Sequence, residues 1–207
     1  MDFQESLILS EKTIKAVLSI FRPRKKRFEK GELILEKGTM DDRLFLMLKG
    51  TSYLCVENEY NTKQLISFFM KGQFICHEML PTPHNGHCFV QAKYPTTVAV
   101  LSYTELMAYS LQNPTDMRSH SFSHIFRNVI AAQSEHCHIL QQKTIRSKLL
   151  AFLQYQSLCQ NTHRVQIPIP YSDLADYLTI DRSALMTELR KMQMEGIIEK
   201  DGHTISF

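Results

Sequence analysis

The spacing of hydrophobic and polar positions changes character along the chain. Between residues 28 and 103, short apolar runs alternate with glycines and other turn residues, which is typical of an antiparallel β domain of roughly eight short strands. Pro81, Pro83, Asn85 and Gly86 mark a loop within this part. The pattern therefore predicts an antiparallel sandwich or jelly roll, with strands over residues 32–35, 44–48, 53–56, 65–69, 89–92 and 97–101.

A helical period follows the strand-like part. It predicts a short helix from Thr104 to Leu111, a long helix over residues 115–143 and a further helix over residues 145–158. The long helix carries a stripe at near-heptad spacing, which either enters a core or forms a dimer seam. We favour the seam, because one small sandwich would not cover so long a helix. The stripe is Phe122, Phe126, Val129, Ala132 or Gln133, His136 and Ile139.

The last part of the chain predicts two short amphipathic helices separated by a tight break at residues 179–181. In the first helix, Ser172 is a candidate N-cap, and one face holds Leu174, Ala175 and Leu178. In the second helix, Asp181 can cap the start and Gly196 can end it. Its buried stripe is expected to be Leu185, Leu189 and Met192.

Short strands are predicted on both sides of this helix pair. The prolines of residues 165–170 indicate an edge strand, and residues 197–207 predict a hairpin that turns at Asp201 and Gly202. A helix-turn-helix flanked by a hairpin is a winged helix. In that arrangement the N-terminal part of the second helix enters the major groove of DNA.

The outward face of the second helix supports the DNA hypothesis over a plain pair of packed helices. Arg, Ser and Thr side chains can contact phosphates or base edges. Ala175 is small where two such helices must approach closely. Thr179 stands where many such turns have glycine, so it must adopt another turn geometry or bear a small strain. The candidate DNA-binding residues are Arg182, Ser183, Thr187, Arg190, Ser172 and Asp181.

Composition narrows the class of protein only modestly. The 207 residues suit one large domain or two modest ones, and 43% hydrophobic residues allow a packed core. A net charge of +3 permits nucleic-acid binding without arguing for it. There is no apolar run near the ~20 residues that span a bilayer, and no signal peptide is apparent. The five cysteines are scattered without a Cys-x-x-Cys pair. We therefore expect reduced thiols and a cytoplasmic location, with no membrane partner.

The order of these elements resembles the Crp/Fnr family of bacterial transcription regulators. The resemblance covers about residues 28–207 and rests on FEKGELI (28–34), LFLMLKG (44–50), KGQFI (71–75) and the second helix with its exit (181–198). It implies an α+β fold with an effector-sensing antiparallel β-roll, or jelly roll, over 1–113. It also implies a dimerisation helix over 114–143 and a winged helix-turn-helix over 144–207. The expected partners are a double-stranded DNA operator, a second copy of the chain and RNA polymerase.

The recognition helix departs from the family pattern at several positions. Arg182 matches the family's first recognition arginine, a candidate for bidentate contact with guanine. Ser183 stands where the family commonly has Glu, and Thr187 where it commonly has a second Arg. Glu188 occupies a position that is usually apolar. We therefore expect an altered base readout, and a different packing around residue 188.

The effector pocket departs further from cyclic-nucleotide-binding members. Those members use a Gly, a Glu and an Arg-Ser pair to hold the phosphate and the ribose. Here Cys76 replaces the Gly, His77 replaces the Glu, and Gly86 and His87 align with the Arg-Ser pair. We therefore expect no binding of cyclic AMP, and a non-cyclic-nucleotide effector that remains unknown. The candidate pocket residues are Cys76, His77, Glu78, His87, Cys88, Gln133 and His136.

Two alternatives to an organic effector stay open. The Cys and His residues of the pocket could hold a metal or haem, although adjacent residues on a strand point to opposite faces. Alternatively, the roll could be filled by its own side chains in a constitutive DNA binder. The iron–sulfur members of the family that this chain resembles use a cluster of N-terminal cysteines. A cluster of that type is not expected here, because no cysteine precedes Cys55. The candidates for filling the roll are Met70, Phe74, Met79 and Phe89.

Catalysis is not expected, because phosphate-loop, nucleophile-elbow and zinc-protease motifs are all lacking. A basic run between Arg22 and Lys30 is interpreted as a solvated face that precedes the first strand.

Overall fold

The structure is a computed structural model that describes residues 8–36, 42–76, 87–113 and 134–207. The chain divides into two compact units, whose described residues come from Ile8–Val129 and Ile130–Phe207. Within the described ranges, no helix combines the length and the apolar character that crossing a membrane requires.

The N-terminal unit is built of two four-stranded antiparallel sheets with a helix at each end of the strand series. One sheet has the order β1-β8-β3-β6 and the other the order β2-β7-β4-β5. This confirms the predicted β-roll. The elements are α1 (Glu11–Phe21), β1 (Arg24–Phe28), β2 (Leu33–Glu36), β3 (Arg43–Lys49), β4 (Ser52–Glu57), β5 (Lys63–Phe69), β6 (Phe74–Cys76), β7 (His87–Ala92), β8 (Thr96–Ser102) and α2 (Tyr103–Gln112).

Strand β3 shows how alternation builds two cores in this unit. Phe45 and Met47 point into a core shared by both sheets, while Leu44 and Leu46 point to the other face of the first sheet. There they pack with residues of α1 and α2. The inter-sheet core also contains Phe28, Ile34, Leu35, Leu54, Ile75, Cys88, Val90, Ala92 and Val98.

Gly50 ends β3 and permits the turn into β4. Its φ is +89°, and a Cβ at this position would lie 2.6 Å from the Pro95 carbonyl oxygen. Both the backbone conformation and the close approach exclude a side chain, which explains why a glycine follows this apolar run.

The basic run corrects one expectation. Residues 24–28 do not precede the first strand; they form β1, which pairs antiparallel with β8 at a sheet edge. The first four residues of β1 are exposed, and only Phe28 is buried. An edge strand needs little apolar surface and is often charged, which is why the hydrophobic pattern did not reveal it. The exposure agrees with the solvated face predicted for this run.

The C-terminal unit contains helices and a three-stranded sheet with the order β10-β11-β9. The predicted hairpin and the edge position of β9 are confirmed. Most of the predicted dimerisation helix, residues 114–133, lies outside the described residues. The described elements are α3 (134–140), α4 (Ile145–Gln160), β9 (Arg164–Gln166), α5 (Tyr171–Tyr177), α6 (Arg182–Met194), β10 (Glu199–Asp201) and β11 (Thr204–Ser206).

Candidate nucleic-acid interface

Helices α5 and α6 pack through the apolar faces predicted from the sequence. Ala175 is 1% exposed, and its carbonyl accepts a hydrogen bond from the Ile180 amide at 3.0 Å. Leu174 and Leu178 on α5 are buried, as are Leu185, Leu189 and Met192 on α6. Burial of these faces fixes which side of α6 is turned outward.

The residue at the turn between the two helices, Thr179, adopts a left-handed backbone conformation. Thr179 has a φ of 52°, so the strain expected for a non-glycine residue here is present. Its amide donates to the Asp176 carbonyl at 3.0 Å. The Lys148 ammonium on α4 donates to the Leu178 carbonyl at 2.9 Å and to the Thr179 hydroxyl at 3.2 Å. These contacts stabilise the turn that a glycine would adopt without strain.

Asp181 caps α6 as predicted. Its Oδ1 atom accepts hydrogen bonds from the Ser183 amide at 2.7 Å and the Ala184 amide at 3.1 Å. The Ser183 hydroxyl also donates to this carboxylate. This hydroxyl contact, followed by the two amides, holds the pKa of Asp181 below its usual value. The carboxylate thus fixes the first turn of the helix and orients Ser183.

The outward face of α6 carries the predicted DNA-binding side chains. Arg182, Ser183, Thr187 and Arg190 are all exposed, and Met186 is half-buried. Residues 183, 187 and 190 are spaced four and three apart, so they lie on one side of the helix. This side is opposite the buried stripe and offers the Thr187 hydroxyl and the Arg190 guanidinium as donors, while the Ser183 hydroxyl donates to Asp181.

Ser172 does not cap α5, which corrects the prediction. Pro170 occupies the N-cap position, with φ −57° and ψ 150° and without a side-chain cap. Ser172 lies in the first turn, and its hydroxyl donates to the Asp173 carboxylate at 3.0 Å. The fixed φ of the proline sets the entry of the chain into the helix, and no side chain accepts a capping hydrogen bond from the first turn.

The hairpin is anchored to the first residue of α5, which the sequence reasoning did not single out. The Tyr171 ring stacks on His203 with centroids 4.9 Å apart, and its hydroxyl donates to the Gly202 carbonyl at 2.9 Å. The Lys200 ammonium lies 5.0 Å from the centre of the same ring. Partial burial raises the pKa of Tyr171 to about 12, so the phenol stays a donor. Aromatic and His residues 32 positions apart gave no local signal in the sequence.

Comparisons with known proteins cover both units of the chain. Residues 25–113 match the model of the cyclic nucleotide-binding domain. FixK2 from Bradyrhizobium japonicum is 14% identical, with 89% of this chain and 92% of that chain covered and a TM-score of 0.69. A CooA mutant from Carboxydothermus hydrogenoformans is 16% identical, with 98% and 94% covered and a TM-score of 0.74. TTHB099 from Thermus thermophilus, a transcriptional regulator of the CRP family, is 16% identical, with 88% and 91% covered and a TM-score of 0.54.

The chain has the fold of the Crp/Fnr regulators. The predicted fold class is thereby confirmed, and the resemblance drawn from the sequence is confirmed at the level of the fold. A search of curated protein sequences found no match.

In this Crp/Fnr fold, two of the described pocket candidates of the β-roll lie on opposite faces of strand β7, and a third lies on β6. His87 is exposed, and its Nε2 atom lies 2.8 Å from the Glu36 carboxylate. Cys88 is fully buried in the inter-sheet core. The two side chains therefore point to opposite faces, as the strand geometry predicted. Cys76 ends β6, where its backbone pairs with Leu44.

The remaining pocket candidates on or near this unit, His77 and Glu78, lie outside the described residues, as does Gln133. Among the residues that the structure describes, no group of three or more His, Cys, Asp or Glu side chains is arranged to hold a metal ion.

The side chains expected to fill the roll are placed differently from the prediction. Phe74 packs in the cluster with α1 and α2, because its neighbour Ile75 is the residue of β6 that enters the inter-sheet core. Phe89 is buried on the other face of its strand from Cys88, and it stacks with His87 at 5.7 Å. Phe45, Met47 and Ile75 fill part of the space between the sheets instead. Met79 lies outside the described residues.

His136, the last pocket candidate, contacts the helix-turn-helix. Its ring is parallel to that of Tyr177, with centroids 3.9 Å apart and an interplanar angle of 9°. Its Nε2 atom lies 2.9 Å from the Tyr177 carbonyl oxygen, so the ring nitrogen donates. Burial lowers the pKa of His136, which favours the neutral ring. The residue thereby joins α3 to α5, a role that its position in the heptad pattern did not reveal.

Proposed function

We propose that this chain is a sequence-specific DNA-binding transcription regulator of the Crp/Fnr type that acts as a homodimer. The observation that carries the proposal is the exposed face of α6. Its first two turns present Arg182, Ser183 and Thr187 on a helix that is capped at its start and buried along its opposite side. The fold supports this function, since its solved relatives include a CRP-family transcriptional regulator.

Arg182 is the residue best suited to read a base. It is the first residue of α6, next to the cap, and its guanidinium can donate two parallel hydrogen bonds to the O6 and N7 atoms of guanine. The Thr187 hydroxyl suits several base edges or phosphates, and Arg190 is better suited to phosphates. The Ser183 and Ser172 hydroxyls donate to the Asp181 and Asp173 carboxylates, so each must turn away from its carboxylate to donate to DNA. Asp181 serves the interface by holding the first turn.

The β-roll in this proposal responds to an effector other than a cyclic nucleotide. The substitutions at Cys76, His77 and His87 remove the groups that would hold a cyclic phosphate and ribose. A metal or haem site is less well supported than an organic effector, because His87 and Cys88 face opposite sides of their strand. Occupancy of the roll would alter dimer-helix packing and so reorient the DNA-binding units, which requires two states with different effector affinity.

RNA polymerase is the proposed second partner, and the cytoplasm the proposed location, both by analogy with the fold. The five scattered cysteines agree with a reducing compartment.

Selection of DNA from a pool of random duplexes tests the proposal. A homodimer with two recognition helices should enrich a two-fold symmetric sequence whose half-sites are about one helical turn apart. The Arg182→Ala variant should lose its preference at one base pair of each half-site and keep the rest. Failure of the wild-type protein to enrich any sequence would overturn the proposed function.

A further inference from the structure

One arginine of α4, Arg146, binds two glutamates of the proposed recognition helix α6 and its C-cap. The Nε atom of Arg146 donates to the Glu188 carboxylate at 2.6 Å. Its two terminal nitrogens donate to the two oxygens of Glu195 at 2.6 Å and 3.0 Å. All three nitrogens of the guanidinium are therefore engaged by α6 and its C-cap.

The spacing of the two carboxylates makes this contact a geometric restraint. Glu188 and Glu195 are seven residues apart, so they lie two turns apart on the same side of α6. A planar guanidinium that binds both fixes the position of the helix along its axis and its rotation about it. Glu188 directly follows Thr187, so this rotation also sets where Thr187 and the neighbouring outward side chains point.

The charges of the cluster argue against a simple phosphate-binding role. One guanidinium faces two carboxylates, and the Lys191 ammonium, which also acts on Glu195, brings the local charge only to about zero. The Arg146 guanidinium therefore adds no net positive charge to a helix that must approach DNA phosphates. The Glu195 contact, followed by Glu188, raises the pKa of Arg146, and the Arg146 contact lowers the pKa of Glu195. Acidic groups weaken electrostatic binding to DNA. The presence of Glu188 and Glu195 beside the proposed interface is explained if they position the helix.

We infer that Arg146 is a positioning residue for base readout, which it controls by locking α6 through Glu188 and Glu195. This inference rests on the proposed function. It assigns sequence discrimination to a residue whose guanidinium binds Glu188 and Glu195, and it accounts for a glutamate at position 188.

The test measures the affinities of the full-length protein for its selected operator and for a random duplex, in Arg146→Ala and Glu195→Gln. The two variants change net charge in opposite directions, so electrostatics alone predicts weaker DNA binding in the first and tighter binding in the second. Positioning predicts that both lose operator affinity by about tenfold or more, with a change in random-duplex affinity of no more than about threefold. Arg146→Lys keeps the charge but lacks the fork, and should restore little of the discrimination.

Glu199→Gln is the matched control, because it removes the same charge from β10 and its carboxylate is not one that Arg146 binds. It should leave the ratio of operator to random affinity unchanged. Circular dichroism and thermal unfolding restrict the comparison to folded variants, and the exposed Glu195 offers the milder change. Opposite shifts in Arg146→Ala and Glu195→Gln at an unchanged affinity ratio would overturn the inference. A wild-type protein without any preferred sequence would instead overturn the proposed function.

Discussion

Thr179 combines a β-branched side chain with a left-handed backbone between α5 and α6. Its φ of 52° brings Cβ close to the neighbouring carbonyl, at a cost of roughly 1–2 kcal/mol for an L-residue. Thr179→Gly removes this clash together with the whole side chain, while Thr179→Ala removes the hydroxyl and the γ-methyl group but keeps Cβ. Both variants lose the contact between the hydroxyl and Lys148. We therefore expect the glycine variant to have a free energy of unfolding about 1 kcal/mol above that of the alanine variant. Urea unfolding of both variants measures the difference, and equal stability would show that the turn is unstrained.

Arg182 carries the base readout in the proposed interface. Arg182→Ala removes an exposed guanidinium from the first turn of α6 and should cost about 1–3 kcal/mol in operator binding. Affinity for random duplexes should change far less. The matched control is Arg190→Ala. If Arg190 contacts phosphate, this variant should lose affinity for the operator and for the random duplex to a similar extent. Fluorescence anisotropy on the two duplexes provides the measurement. An equal loss on both duplexes for Arg182→Ala would contradict its role.

At the scale of elements, α4 depends on a capping box at its start. The Thr144 hydroxyl accepts from the Ser147 amide at 3.0 Å, and the Ser147 hydroxyl accepts from the Thr144 amide at 3.1 Å. Thr144→Ala should therefore lower the free energy of unfolding by about 1 kcal/mol, whereas Thr144→Ser keeps the cap and should change it little. Chemical denaturation of the three proteins makes the comparison. Equal losses in the alanine and serine variants would mean that the methyl group, and not the cap, matters.

The contact between α3 and α5 should make stability depend on pH. Because burial holds the pKa of His136 below its ordinary value of about 6.5, the unfolded chain takes up a proton first as the pH falls. The contribution of neutral His136 to the free energy of unfolding is therefore complete above the pKa that His136 has in the unfolded chain. It declines as the pH falls toward the lower pKa that His136 has in the folded protein. His136→Phe keeps an aromatic stack without titrating, so it should flatten this part of the profile.

Thermal midpoints between about pH 7.5 and about pH 5 measure this dependence. The matched control is His138→Phe, which changes an exposed histidine on the same helix and should leave the slope near that of the wild type. If the thermal midpoint of His136→Phe depended on pH as steeply as that of the wild type, the assignment of this pH dependence to His136 would be wrong.

The hydrophobic pattern predicted most of the elements in which burial imposes a period. Strands β2 to β5, β7 and β8 follow glycine-punctuated apolar runs, and the stripe of Leu185, Leu189 and Met192 marked α6. The three-residue strand β6 was not among the predicted strands, because it is too short to show an alternation. The sequence reasoning missed α1, although Ile14, Val17, Leu18 and Phe21 have helical spacing and pack on one core. It also missed β1, because four of its five residues are exposed and leave no hydrophobic alternation. The Arg146 contacts join residues 42 and 49 positions apart, and no local pattern encodes such tertiary pairs.

At the scale of the whole molecule, the proposed function requires two recognition helices to act together on one operator. One recognition helix on its own offers a limited set of base contacts. The departures at Ser183 and Thr187 also shift base readout away from the usual pattern of the family that the chain resembles. In a dimer the binding free energies of the two half-sites add. The ratio of operator affinity to random-DNA affinity should therefore be large even with one strong base contact per helix.

The ratio of the affinities for the selected operator and for a random duplex, measured at about 0.15 M salt, tests the central claim most directly. The proposal predicts a ratio of about 1,000 or more, carried by a complex of two chains on one duplex. A ratio near one would contradict it, because it would mean that the exposed face of α6 contacts phosphates without reading sequence.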